Sequence, residues 1–125
     1  MQQKIPTVII TGAGLGGLSF YHALIKNKDE KEFNVKIFER ESGPQDRWQG
    51  YHIENVPVQW GKKCIGYEET EEGVWVFFED GSKEFCDILV GADGINSPVR
   101  KQKIPELQIF DFGITQINAD VANVN

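Results

Sequence analysis

The chain has 125 residues, with 40% hydrophobic and 26% charged side chains, the profile of one ordinary globular domain. Its formal net charge of −6 argues against a nucleic-acid or polyanion binder, which needs a basic face. Cys64 and Cys86 form no C-x-x-C pair, so they read as two reduced thiols and not as a disulfide framework or zinc site. The first residues lack the apolar core of a signal peptide, and no apolar run approaches the roughly 20 residues of a membrane span. A cytoplasmic location is the expectation.

In chain order, Val8 to Ile10 predicts a buried parallel strand. The turn Gly12-Ala13-Gly14-Leu15-Gly16-Gly17 follows at once, and a helix is expected from Leu15 to about Lys26. Leu15, Leu18, His22 and Ile25 fall on one stripe of that helix, with Leu24 close by, which makes His22 a packing residue. Val35 to Phe38 predicts a second strand, so residues 5–41 read as a βαβ unit.

Residues 42–58 are turn-rich and irregular. From Gln59 the pattern becomes β-like, with strands expected at Cys64–Glu69, Gly73–Glu79 and Glu84–Cys86 and a hairpin turn at Asp80-Gly81. Trp75 and Phe77 alternate with Val74 and Val76 as the two faces of a strand do, so these aromatics read as packing residues and not as a substrate cage. Ile88 to Val90 is another apolar strand. Ser97-Pro98 then has the form of a helix start, serine as N-cap and proline at the first helical position. A last strand is expected from Phe112 to Ile117.

The glycine turn carries chemistry because of its context: it follows a strand, opens a helix and lies within a βαβ unit. Gly12 would permit the tight turn, Gly14 the approach of a pyrophosphate, and Gly17 close packing of the helix. Helix N–H groups, Leu15 and Gly16 among them, would then face the phosphates. Glu39 lies 22 residues after Gly17, at the end of the second strand, where a carboxylate accepts hydrogen bonds from an adenosine ribose and repels a 2′-phosphate. A glycine turn used only for packing, with Glu39 a plain strand-end charge, is the competing reading. This half of the chain does not separate FAD from NAD, since both carry an ADP moiety.

The stretch Asp87-Ile-Leu-Val-Gly-Ala-Asp-Gly-Ile-Asn-Ser-Pro-Val-Arg100 resembles the second fingerprint of class A flavoprotein monooxygenases, the aromatic-hydroxylase type related to para-hydroxybenzoate hydroxylase. Residues 12–18 are similar to that family's first fingerprint, and Glu39-Arg40 to the acidic-basic pair closing its second strand. The segment Arg47-Trp-Gln-Gly-Tyr-His-Ile53 resembles the piece whose arginine lies near the flavin. The resemblance spans about residues 5–118 and implies an α/β fold: a Rossmann-like FAD-binding domain with a parallel sheet and an inserted antiparallel β-meander at 59–86. Residues 87–104 would hold the second-fingerprint strand and a short helix.

It further implies a cofactor set of Gly12, Gly14, Leu15, Gly16, Gly17, Glu39, Arg40, Arg47, Asp93, Gly94, Ser97 and Arg100. In the family, NAD(P)H reduces FAD, and the reduced flavin takes up O2 and hydroxylates an aromatic or similar small organic substrate through a flavin hydroperoxide. No catalytic side chain and no metal ligand is expected, because the flavin carries the hard chemistry. His52, beside the flavin segment, reads as structural. Relative to the family the chain is shortened at 54–59 and ends before the third fingerprint. The expectation is therefore an FAD-binding enzyme by resemblance, with turnover not expected from this chain alone. A nucleotide-binding module without redox turnover and a Rossmann dehydrogenase using NAD stand as the alternatives, the second opposed by the Asp93-Gly94 fingerprint.

Overall fold

A computed structural model describes residues 4–27, 29–43 and 56–115. Two sheets lie one over the other. A parallel sheet is built from β1 (Thr7–Thr11), β2 (Asn34–Phe38), β3 (Val58–Gln59) and β7 (Ile88–Gly91), in the order β3-β2-β1-β7. An antiparallel meander is built from β4 (Cys64–Glu69), β5 (Val74–Phe78) and β6 (Lys83–Cys86). The described residues also form two helices, α1 (Leu15–Lys26) and α2 (Pro98–Lys103).

The central strand explains the arrangement. β1 pairs with β2 on one side, Val8 opposite Val35, and with β7 on the other, Val8 opposite Ile88. Side chains alternate across a strand, so an apolar run needs cover on both faces. Val8 and Ile10 point into one core with Leu18, Tyr21 and Ile37, beneath α1. Ile9 points into a second core with Phe38, Cys64, Val76, Phe78 and Cys86, beneath the meander. All three β1 residues are fully buried. Phe38 stacks at a tilt on Phe78, with ring centres 4.7 Å apart, and joins the two sheets. Trp75 packs within the meander as expected, edge-on to Phe85 at 5.1 Å and capped by the Lys83 ammonium at 4.4 Å, and Phe77 is half-buried on the same strand.

The phase of α1 differs from the sequence expectation. Its buried residues are Gly17, Leu18 and Tyr21. Leu15 and Ile25 are exposed, and His22 lies on the outer face, edge-on to Tyr21. The cause is backbone contact. A Cβ on Gly17 would collide with the Gly12 carbonyl, so this glycine must face the sheet. That fixes Tyr21, one turn on, as the inward residue and turns His22 out. Gly12 has φ +99°, and a Cβ there would strike the Ala92 carbonyl of the β7 turn.

Other expectations stand close to the structure. The Asp80-Gly81 hairpin forms, with Asp80 Oδ1 accepting from the Ser82 N–H at 2.9 Å and Gly81 at φ +86°. Ser97 caps α2, its Oγ accepting from the Arg100 N–H at 3.2 Å. Two-residue β3 straddles the boundary between the stretch read as irregular, which ends at Val58, and the β-like stretch that begins at Gln59. Residues 112–115 form no strand; Phe112 and Ile114 are more than four-fifths exposed, and a strand needs a hydrogen-bonding neighbour that this segment lacks. Residues 116 and 117 lie outside the described residues.

Two measurements test this packing. Gly17→Ala should cost about 1–3 kcal/mol of stability through overpacking against backbone, read as a lower urea midpoint at unchanged slope. Burial, with Asp87 adding its charge, pushes the Cys86 thiol from 9.0 up to about 11. Between those values the unfolded chain releases this proton and the folded chain keeps it, so stability is full below pH 9 and falls as pH climbs toward 11. Cys86→Ala should flatten that alkaline decline in urea melts taken from pH 8 to 11.

Candidate functional site

The carboxyl ends of β1, β2 and β7 open into one cleft of about 720 Å³. This is the edge where parallel α/β sheets place their ligand sites, because the loops there and the helix N-termini converge. Gly12, Gly14 and Leu15 form its floor, Glu39 and Arg40 one wall, and Asp93 and Gly94 the other. The turns after β1 and β7 touch: the Ala92 N–H donates to the Thr11 carbonyl at 2.8 Å. Seven of the twelve residues expected to bind cofactor thus line one space.

Glu39 is buried, and both carboxylate oxygens accept backbone N–H groups. Oε1 takes that of Ala13 at 3.0 Å, and Oε2 that of Glu41 at 2.9 Å. The residue therefore fixes the glycine turn as well as facing the cleft. Gly14 is the N-cap of α1, and no side chain caps this end; the first turn carries no acidic residue. A Cβ on Gly14 would meet nothing within 4 Å, so open space lies directly in front of the helix N-terminus. Asp93 Oδ1 is buried and has no hydrogen-bond partner among the described residues. An unsatisfied buried acceptor costs about 1–3 kcal/mol, a debt that a donating ligand removes.

The remaining expected residues shape the cleft from behind or lie elsewhere. Gly17 sits under α1 against Gly12, and Gly16 is exposed on the first helical turn. Ser97 is buried as the α2 cap. Arg100 turns its guanidinium onto backbone, donating to the Ile95 carbonyl at 2.8 Å and the Leu107 carbonyl at 3.4 Å. Arg47, with the segment 47–53 and His52, lies outside the described residues.

The sequence reading missed four further lining residues. Lys62, Lys63, Cys64 and Lys101 also line the cleft. The first three come from the entry to the meander, brought under β2 because the Lys62 N–H donates to the Glu39 carbonyl at 2.8 Å. Lys62 Nζ bonds Asp80 and Ser82, and the hydrogen bonds from Lys62 and Ser82 hold the Asp80 carboxyl well below its usual range. Lys63 pairs with Glu79 at 3.2 Å. Burial, aided by the charge of Asp93, pushes the Cys64 thiol up, so it stays protonated at neutral pH and does not serve as a thiolate nucleophile. No group of three or more metal-ligating side chains occurs among the described residues.

No protein-family model matches the chain. Curated relatives do. The FAD-dependent monooxygenase thnD of Trichoderma harzianum is 48% identical over 56 residues, 45% of this chain and 14% of that protein. Salicylate hydroxylase of Pseudomonas putida is 41% identical over 49 residues, 39% of this chain and 11% of that protein. The solved structure of 2,6-dihydroxypyridine-3-hydroxylase from Arthrobacter nicotinovorans shares the fold, with a TM-score of 0.68 at 16% identity, over 83% of this chain and 41% of that one. The chain thus spans about one-seventh or less of these curated relatives' length and under half of the solved structure. In sequence the chain is similar to short stretches of FAD-dependent monooxygenases, and in fold to part of a solved hydroxylase.

Proposed function

We propose that this chain is the part of an FAD-dependent monooxygenase that binds the ADP half of FAD. The observation that carries the reading is the uncapped N-terminus of α1, open at Gly14 and flanked in one cleft by Glu39 and Asp93. The helix end offers backbone N–H groups and a partial positive charge to a pyrophosphate. Glu39 presents a buried carboxylate on the wall of this cleft, at the strand end where an adenosine ribose is held in such folds. Asp93 Oδ1 offers an acceptor to a hydroxyl of the ligand. These groups fit a dinucleotide, and they exist before it arrives, so little ordering accompanies binding.

FAD, when bound, supplies the redox and oxygen-activating chemistry. The described residues of this chain bind and orient. Glu39 holds the glycine turn in register with β2, Arg100 holds the turn after β7, and Cys64 and Phe38 make the inner wall apolar. NAD(P)H as reductant and a small aromatic substrate complete the proposal. The substrate class is supported by the name of one relative, salicylate hydroxylase, and NAD(P)H by the resemblance of the Asp93-Gly94 and Ser97–Arg100 pattern to the second fingerprint. Hydroxylation would draw on the greater length that the relatives possess. A cytoplasmic setting accords with the two unpaired, buried thiols. No helix among the described residues is long and apolar enough to cross a membrane.

Gly14→Val separates binding from folding. Gly14 has φ −78°, which valine adopts, and its Cβ would enter empty space, so the variant should melt like wild type. Its branched side chain would stand where the pyrophosphate must approach, and calorimetric titration with FAD should show at least a tenfold loss; unchanged affinity would remove the assignment. Glu39→Gln behaves differently. The amide nitrogen would face a backbone N–H in place of an acceptor, costing about 1.5–3 kcal/mol of stability together with weaker ADP binding. Urea melts and ADP titration of the same preparation check both effects.

A further inference from the structure

We propose that Lys101, on α2, is the side-chain cation that engages the pyrophosphate in this cleft; the assignment rests on the dinucleotide reading above. A pyrophosphate brings two negative charges, and a helix N-terminus offers about half a positive charge. The first turn of α1 holds no lysine or arginine, so a full cation must come from another element. The second-fingerprint arginine is committed elsewhere: both terminal nitrogens of Arg100 donate to the Ile95 and Leu107 carbonyls.

The other polar side chains of α2 are likewise engaged. Gln102 makes two hydrogen bonds to the Tyr67 backbone, and Lys103 pairs with Glu69 at 2.9 Å. Lys62 and Lys63 line the cleft but are held by Asp80 and Glu79. Lys101 lines the same cleft with no ion-pair or hydrogen-bond partner among the described residues. Arg40 shares that condition, but it follows Glu39 at the end of β2, on the ribose wall. Lys101 stands on the wall built by the β7 turn and α2. That wall adjoins the glycine turn directly, through the Ala92 N–H to Thr11 carbonyl bond. A pyrophosphate on the α1 N-terminus therefore lies between the Glu39 wall and the Lys101 wall. The fingerprint arginine acts as a clasp on the loop, and the neighbouring lysine supplies the charge.

The test compares ADP and adenosine, which differ only in the phosphates. The full chain and its Lys101→Gln, Lys101→Glu and Lys101→Arg variants are titrated with ADP by calorimetry and with adenosine by NMR, at low and at moderate salt. Because Lys101 is exposed, Lys101→Gln should weaken ADP about two- to fivefold at moderate salt. The loss should grow at low salt, where screening is weak. Lys101→Glu should lose more, Lys101→Arg should keep wild-type affinity, and adenosine binding should be the same in all four. ADP affinity unchanged in Lys101→Gln at low salt, while wild type binds ADP, overturns the lysine assignment and leaves the dinucleotide reading standing. Equal losses for ADP and adenosine reduce Lys101 to a structural role. Absence of ADP binding by the folded wild-type chain overturns both.

Discussion

A buried carboxylate holding two backbone N–H groups organises the ligand edge of this molecule. Glu39 ends β2, and through Ala13 it sets the position of the turn that leads into α1. Its own backbone extends the connection: its N–H donates to Gln59 at the end of β3, and its carbonyl accepts from Lys62 at the entry to the meander. One residue thus joins the glycine turn, the edge strand and the second sheet. Burying a carboxylate is unfavourable unless hydrogen bonds replace its water, and here both oxygens receive charge-assisted donors. The turn is consequently fixed in place, at a cost offset by the protein's own backbone.

The parallel sheet extends that order inward. β1 has no polar face to give to water, so α1 covers one side and the meander covers the other. The two layers meet the sheet through different contacts. α1 approaches by backbone, with Gly17 against Gly12, whereas the meander approaches by side chains, with Phe78 against Phe38. The first penalises any substitution that adds a Cβ; the second tolerates changes of shape as apolar cores do. Asp87 locks the meander to the start of β1 by exchanging bonds with Thr7, its Oδ2 accepting the Thr7 N–H at 2.7 Å.

Much of this was legible in the residues because local pattern and tertiary role agree. Val8–Ile10, Val35–Phe38 and Ile88–Val90 read as parallel strands and are paired as such. The Ser97-Pro98 start and the Asp80-Gly81 turn carry their own chemistry and formed where expected. The failures share a cause: a partner distant in sequence decides them. Apolar periodicity set α1 on His22, but a backbone contact with Gly12 rotated it onto Tyr21. β3 is two residues long and exists only because β2 offers an edge. The bonds of Arg100 to the Ile95 and Leu107 carbonyls are likewise announced by nothing local. Lys62 and Lys63 enter the cleft through a fold-back that no motif marks.

The pairing of β1 with β7 also sets a timetable. Thr7 and Asp87 are 80 residues apart, yet the most buried strand of the sheet depends on their meeting. A chain emerging from the ribosome at about 5–20 residues per second completes β1, α1 and β2 first, then waits several seconds before β7 exists. During that interval one edge of Val8–Ile10 offers unpaired backbone groups to any other chain within reach. Contacts of such long sequence separation also slow folding after release, because the loop must close before they form. Nascent-chain protection of this segment, by chaperones or by early docking of α1, is therefore a condition of yield that the finished structure no longer displays.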